Sequence, residues 1–325
     1  MPILNKAYRN IPFDPHGSRH WQAAADVWNG ACGAGLAISP AFVCYNTRPV
    51  TGVEQQGLLV YHAETPVGFA LASYELGNPT PLLSSLMNQG WIDAIAVLPG
   101  YARQGIGGDL VAWAQTWLVS KGCKLIHLGG SMRPFAPGLP IELSTQAFFL
   151  KLGFADRGPA WDVSQDLAGY QPRSDPRLGQ VQPLSLGQIE VMRDFLRREF
   201  PDRWSFEFEE AVRAGDRLSD YQALWVGDRV EGMLNLTFED SSRPLERYYM
   251  AGLPTPWGQL GTVAVSAGLR GQGYGALLMV SGLTRLKAAG VRGCVIDWTG
   301  LVDFYGKFGF KPYRQYTILE KDFYL

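Results

Sequence analysis

The second half of the chain breaks into short runs of apolar and polar positions whose period changes from one run to the next. "QVQPL" (Gln180 to Leu184) predicts a short strand. Ser185 then offers an N-cap to an amphipathic run through Phe200, which stops before Pro201 and predicts a helix. "YQALWVG" (Tyr221 to Gly227) and "RVEGMLNLTFE" (Arg229 to Glu239) predict a hairpin turning at Asp228. Leu260 to Val265 reads as a strand, and Gly273 to Ala289 as a helix closed by Gly290. Gly293 to Thr299 predicts a buried strand, Leu301 to Lys307 a short helix, and "QYTILEKDF" a last strand. The order strand, helix, strands, helix, strand, helix, strand predicts an α/β sheet with helices packed on it.

The first half repeats this plan. "VGFALASYE" (Val67 to Glu75) resembles "EGMLNLTFE" (Glu231 to Glu239), and "IAVLPGYARQGIGG" (Ile95 to Gly108) resembles "VAVSAGLRGQGYGA" (Val263 to Ala276). "FFLKLGF" (Phe148 to Phe154) resembles "FYGKFGF" (Phe304 to Phe310), and "WDVSQDL" (Trp161 to Leu167) resembles "YTILEKDF" (Tyr316 to Phe323). Four blocks recur in one order, which predicts two tandem domains, 1–170 and 171–325, joined through the Pro- and Gly-containing stretch Ala168 to Gln180. The first copy carries extra residues within Gly129 to Leu143, whose Gly and Pro content predicts a loop, either a lid over a cleft or an inert connection.

Composition narrows the class. At 325 residues, 46% hydrophobic and 18% charged, the chain reads as an ordinary globular protein of two domains. A net charge of -1 argues against a broad nucleic-acid-binding face. "MPILNKAYRN" lacks the apolar core of a signal peptide, and no apolar run approaches a membrane span. Cys32, Cys44, Cys123 and Cys294 are scattered without CxxC spacing, so neither a disulfide framework nor a zinc site is expected. Cytosol is the expected compartment, with no metal, no nucleic acid and no membrane as partner, and a monomer or homodimer as the assembly.

The chemistry concentrates in the glycine stretches. A helix N-terminus presents amide N–H groups without internal partners and the positive end of the helix dipole. Glycines there let a bulky anion reach the backbone. "RGQGYG" after a strand and before a helix therefore reads as a pyrophosphate cradle. It has no Gly-Lys-Ser/Thr of a Walker A loop, and its third glycine comes one residue early for the dinucleotide fingerprint. A turn with glycines placed for tight helix–strand packing is the competing reading.

"VAV" followed by "LRGQGYGALL" resembles the acyl-CoA-binding motif of the GNAT N-acetyltransferase superfamily, and "FYGKFGF" resembles that family's late helix and turn. The tandem arrangement resembles mycothiol-synthase-like acetyltransferases. The resemblance implies two GNAT-like domains, each a mixed, mostly antiparallel sheet with a central splayed strand pair flanked by helices. It also implies acetyl-CoA as co-substrate and a small-molecule or peptide amine as acceptor. The coenzyme would lie on Val263, Ala264, Val265, Arg270, Gly271, Gln272, Gly273, Tyr274, Gly275 and Ala276. A second such site would use Ile95, Val97, Arg103, Gln104, Gly105, Ile106, Gly107 and Gly108. In the second copy Arg270 fills the family's Arg/Gln position, and Tyr305 the position whose phenol protonates the departing thiolate. The first copy has Ala102 and Phe149 there, so the C-terminal domain is expected to be catalytic and the N-terminal one degenerate. Asp297 is the candidate base, or a cap on the following helix. Glu207, Glu209 and Glu210 could line the acceptor pocket or form a solvated face. Asp93, on a central strand, keeps an active first copy open. Direct acetyl transfer to an amine is the leading reading. A non-catalytic acyl-CoA-binding module and a nucleotide- or phosphosugar-binding protein are the alternatives.

Overall fold

The computed structural model describes residues 8–76 and 86–323; residues 1–7 of the N-terminal stretch read above lie outside them. The chain divides into two compact units, Met1–Ala160 with Arg314–Leu325, and Trp161–Tyr313.

The first unit runs β1 (Tyr8–Pro12), α1 (Ser18–Cys32), α2 (Pro40–Thr47), β2 (Val53–His62), β3 (Thr65–Glu75), β4 (Gln89–Val97), α3 (Ile106–Ser120), β5 (Leu125–Leu128), β6 (Leu139–Pro140) and α4 (Gln146–Lys151). Strands β1 to β4 form an antiparallel meander, and β4 then pairs in parallel with β5. Ile106, Leu110, Val111, Ala114 and Leu118 give α3 one buried face, which packs on β3 and β4.

β7 (Ala155–Asp166) leads into the second unit. It continues with β8 (Val181–Pro183), α5 (Ile189–Glu199), α6 (Arg203–Ala214), β9 (Tyr221–Val226), β10 (Arg229–Phe238), β11 (Trp257–Val265), α7 (Tyr274–Ala288), β12 (Gly293–Thr299), α8 (Val302–Gly306) and β13 (Lys311–Asp322). Strands β8 to β11 are antiparallel and β11 pairs in parallel with β12. Each element predicted for this half is present. Ser185 and Gln188 form a capping box at a short 3-10 turn that leads into α5. Among the described residues, the one unpredicted α-helix in this half is α6, whose alternating "FEFE" hides its helical period.

The compact units do not coincide with the division at residue 170. The first sheet ends on the exchanged part of β13, which pairs Leu319 with Leu128 and Asp322 with Leu125. The second ends on residues 161–166 of β7, which pair Asp166 with Gly293 and Val163 with Ile296. Each copy thus supplies its own last strand to the other unit's sheet. Leu319 belongs to the first unit's core and Val163 to the second's.

The insertion Gly129 to Leu143 is not an inert loop. Residues 131–140 are buried, and β6 within them pairs with β13. Phe135 packs against Trp28 and Phe42, while Arg133 Nη1 donates to the carbonyl of Arg48 at 2.7 Å. Among the described residues no helix is long and apolar enough to cross a membrane.

Candidate active site

In the first unit β4 and β5 stay paired only over Gln89–Ile92, and Gly129 N to Ile92 O at 2.9 Å is the last link. Beyond it the strands part, and a cavity of about 810 Å³ opens along Asp93 to Val97. Its outer end reaches the glycine loop. Gly105, at φ +91°, precedes α3, and no side chain caps that helix. A Cβ at Gly105 or Gly108 would meet no protein atom within 4 Å, so both face open space at the helix mouth. The free first-turn amides and this bare cradle fit a diphosphate. The predicted residues Ile95, Val97, Arg103, Gly105, Gly107 and Gly108 all line this cavity. Gln104 turns instead towards Tyr8, whose hydroxyl it accepts, and Ile106 is buried in the core.

At the inner end stands Asp93, 2% exposed. The β3–β4 register shifts between Ile92 and Ala94, so Asp93 is the extra residue of a β-bulge. Gln55 Nε2 and Ser73 Oγ each donate to its carboxylate at 2.7 Å, and Ser131 donates as well. Burial pushes the carboxyl up to about 6, against the downward pull of these three donors. The same cavity is lined by Phe149, by Ser144 and Thr145, and by Trp28 and Cys32 of α1. Burial pushes the Cys32 thiol up to about 12.

The second unit repeats the backbone plan with different side chains. β11 and β12 pair only over Trp257–Gln259 and then part. Gly273, at φ +86°, precedes α7. Val263, Ala264 and Val265 lie on β11, and Arg270 to Ala276 form the loop and helix start, as the motif predicts. Two features alter this cradle. Arg270 Nε donates to the carbonyl of Val265 at 3.2 Å. Arg177, held by Asp175 at 2.9 Å, donates to Gln272 O at 3.4 Å and stands 3.5 Å from where a Gly273 Cβ would be. Cavities of about 480 and 220 Å³ in this unit lie elsewhere, around Arg217, Asp220 and Asp240.

Asp297 and Tyr305 do come together. Tyr305 is 7% exposed, packed on Phe304 and Phe310. Burial first, and then the Asp297 charge, push its phenol up to about 12. Asp297 accepts from Gln259 Nε2 at 3.0 Å and pairs with Arg247 at 3.7 Å. It does not cap the following helix: Thr299 Oγ1 accepts from Leu301 N at 2.8 Å instead.

Glu207, Glu209 and Glu210 make no negative pocket. Arg203 donates to Glu207 at 3.0 Å, Arg193 to Glu209 at 2.7 Å, and Arg213 pairs with Glu210. Although burial disfavours its charge, Glu207 is held below the usual range by Arg203, Arg243 and Arg247. Trp298 carries the Arg203 guanidinium 4.4 Å above its ring. His127 stacks on Trp91 and pairs with Glu320, away from the cavity. The motif reading passed over Gln55, Ser73 and Ser131. Ser73 had one signal, polarity within the apolar buried run of β3, whereas Gln55, between Glu54 and Gln56, and Ser131, after two glycines, had none.

The sequence profile described as the acetyltransferase (GNAT) family matches residues 39–154 and again residues 189–310. Among solved structures, the chain is similar to a GCN5-related glucosamine N-acetyltransferase region in a fungal multi-domain GH3 β-N-acetylglucosaminidase (TM-score 0.82, 20% identity). That match covers 96% of this chain and only 38% of the fungal one. It is also similar to a GCN5-related N-acetyltransferase from Sphaerobacter thermophilus (TM-score 0.68, 15% identity, covering 99% of this chain and 98% of that one). A tandem GNAT protein from the clavulanic acid biosynthesis pathway, solved without AcCoA, matches at TM-score 0.67 and 15% identity, covering 98% and 99%. At these identities the likeness is one of fold. No curated protein sequence matches the chain.

Proposed function

The chain belongs to the acetyltransferase (GNAT) family, and from that premise we propose that it transfers an acetyl group from acetyl-CoA to an amine by direct attack, with the chemistry in the first unit. One observation carries this reading: a single cavity joins a bare glycine cradle to a buried carboxylate, which burial pushes up to about 6. The amides opening α3 would hold the diphosphate, and the unpaired edge of β4 would carry the pantetheine arm.

Amines are mostly protonated at neutral pH and must lose a proton before attack. Asp93, at about 6, is largely ionised at pH 7 and is basic enough to take that proton. The amine nitrogen bonds to the thioester carbonyl carbon, the C–S bond breaks, and sulfur leaves as thiolate. The nitrogen loses a second proton as the tetrahedral adduct collapses; of the two protons that leave it, one is relayed through Asp93 to the departing sulfur and the other goes to water, so charge balances. Phe149 has no hydroxyl to assist, and Asp93 therefore serves both transfers. This reverses the expectation, drawn from Arg270 and Tyr305, that the C-terminal domain is the catalytic one.

A second reading places catalysis in the second unit. It is favoured by the proximity of Tyr305 to Asp297, whose charge adds to burial in raising the phenol. The Gln259 and Arg247 contacts to Asp297 count against it as a base. The acceptor is proposed to be a small amine. An amino sugar is the first to try, because one protein of similar fold is described as acting on glucosamine. A reducing cytosol suits four free cysteines.

The test is thiol release from acetyl-CoA by the full chain with a panel of amines, glucosamine first. Turnover that collapses in Asp93→Asn and survives in Tyr305→Phe supports the first-unit reading. The opposite pattern moves the chemistry to the second unit. Coenzyme A binding without turnover on any amine favours a binding module.

A further inference from the structure

Arg103 occupies the place that Gly271 holds in the second loop, and both are left-handed, at φ +61° and +78°. A side chain is disfavoured in that region, and glycine is its natural occupant. The neighbouring position shows the converse, with Ala102 where the second loop has Arg270. The first loop therefore carries its arginine one position later, in a backbone conformation that opposes it. Strain kept at a ligand cleft is a pointer to use.

The cavity supplies an independent observation. Its charged wall residues are Asp93 at the inner end and Arg103 and Lys151 at the outer. Lys151 ends α4, and Phe148 of the same helix lies 3.3 Å from where a Gly107 Cβ would be, which sets α4 against the cradle. Among the described residues neither Arg103 nor Lys151 has an ion-pair or hydrogen-bond partner. Two free cations thus flank the glycines, and no carboxylate lines the cavity at that end.

We infer that Arg103 and Lys151 form a specificity clamp for the 3′-phosphate on the adenosine end of coenzyme A. The inference rests on the acetyl-CoA reading. The first-turn amides of α3 suffice for the diphosphate, which leaves the phosphate monoester, at a charge near -2, as the group two free cations match. The chain then prefers coenzyme A to its 3′-dephospho form.

The experiment is calorimetric titration of the full chain with coenzyme A and with 3′-dephospho-coenzyme A. Gly108→Phe, which fills the first cradle, marks which binding event belongs there. Wild type should bind coenzyme A roughly tenfold more tightly than the dephospho form, as two charge-assisted contacts at an exposed rim allow. Arg103→Gly and Lys151→Gln should each remove most of that preference and leave dephospho-coenzyme A affinity unchanged. Arg103→Gly should also raise the melting temperature, since glycine relieves the left-handed backbone, so a lost preference cannot be assigned to unfolding. Equal preference in wild type and both variants overturns the clamp alone. No binding of either compound to wild type overturns the clamp and the acetyl-CoA reading together.

Discussion

Ser73 on β3 donates from Oγ to Oδ1 of Asp93 on the neighbouring strand at 2.7 Å, inside a site that water barely reaches. Even with this bond and those from Gln55 and Ser131, burial wins and the Asp93 carboxyl is raised from 3.8 to about 6. A carboxylate raised on folding binds its proton more tightly in the native state. The resulting stability is fully present below pH ~4 and is lost as pH rises through about 6.

Asp93→Asn keeps the shape and removes the charge. It should stabilise the protein above pH 7 by on the order of 1–3 kcal/mol and flatten the fall in stability between pH 4 and 6. The same substitution should cut turnover at least ~100-fold, and the acid limb of the pH–rate profile, centred near 6 in wild type, should vanish. Denaturant melts across pH and initial rates check both halves. An Asp93→Asn variant that is destabilised and keeps its acid limb would remove Asp93 from the chemistry.

Two glycines of the first cradle should respond with opposite signs. Gly105 sits at φ +91°, so Gly105→Ala should cost about 1–2 kcal/mol. Gly108 lies within α3 facing open space, so Gly108→Ala should add roughly 0.5–1 kcal/mol of helix stability. Both place a methyl group in the cradle, and both should weaken coenzyme A binding. Thermal melts read beside titrations separate the two effects. Unchanged affinity in Gly108→Ala would mean that the ligand does not approach this turn.

Tyr305 and Phe149 occupy matching places in the two repeats. With the chemistry in the first unit, Tyr305→Phe should leave kcat within about twofold of wild type. Phe149→Tyr should raise it or leave it unchanged, by offering the thiolate a second proton source. A loss beyond ~100-fold in Tyr305→Phe would instead place the reaction beside Asp297.

The exchanged strands give a prediction that the repeat pattern alone reverses. Leu319 is fully buried in the first unit's core, so Leu319→Ala should destabilise that unit by about 2–4 kcal/mol. Hydrogen exchange should quicken in α3 and β5 and stay unchanged in α7. Val163→Ala should do the reverse, opening α7 and β12. Protection changes confined to 1–170 for Val163→Ala and to 171–325 for Leu319→Ala would restore the division at residue 170.

The run of elements was legible from the chain itself, because strands, helices and glycine-closed turns are local choices. Gly293–Thr299 was read to the residue, and Gly273 and Gly290 bracket α7 as their position implied. Both glycine cradles were legible for the same reason, since a helix mouth and a bare backbone lie within one short stretch. Less could be read where function depends on residues far apart. Asp93, Gln55, Ser73 and Ser131 come from three strands and an insertion, and nothing in their spacing announces a shared proton. Arg177 is likewise silent in sequence, yet it stands at the second cradle.

The amino-acid order by itself determined that there are two copies of one plan, each with a glycine-lined helix mouth, because hydrophobic period and glycine placement act over a few residues. Only the tertiary structure decided which sheet each last strand completes, since the open edges beside β5 and β12 are chemically alike and a repeat cannot choose between them. It also decided that the first cradle opens onto a cavity with a buried carboxylate. Desolvation, which tunes that group, is a property of everything packed around it and of no stretch of sequence alone.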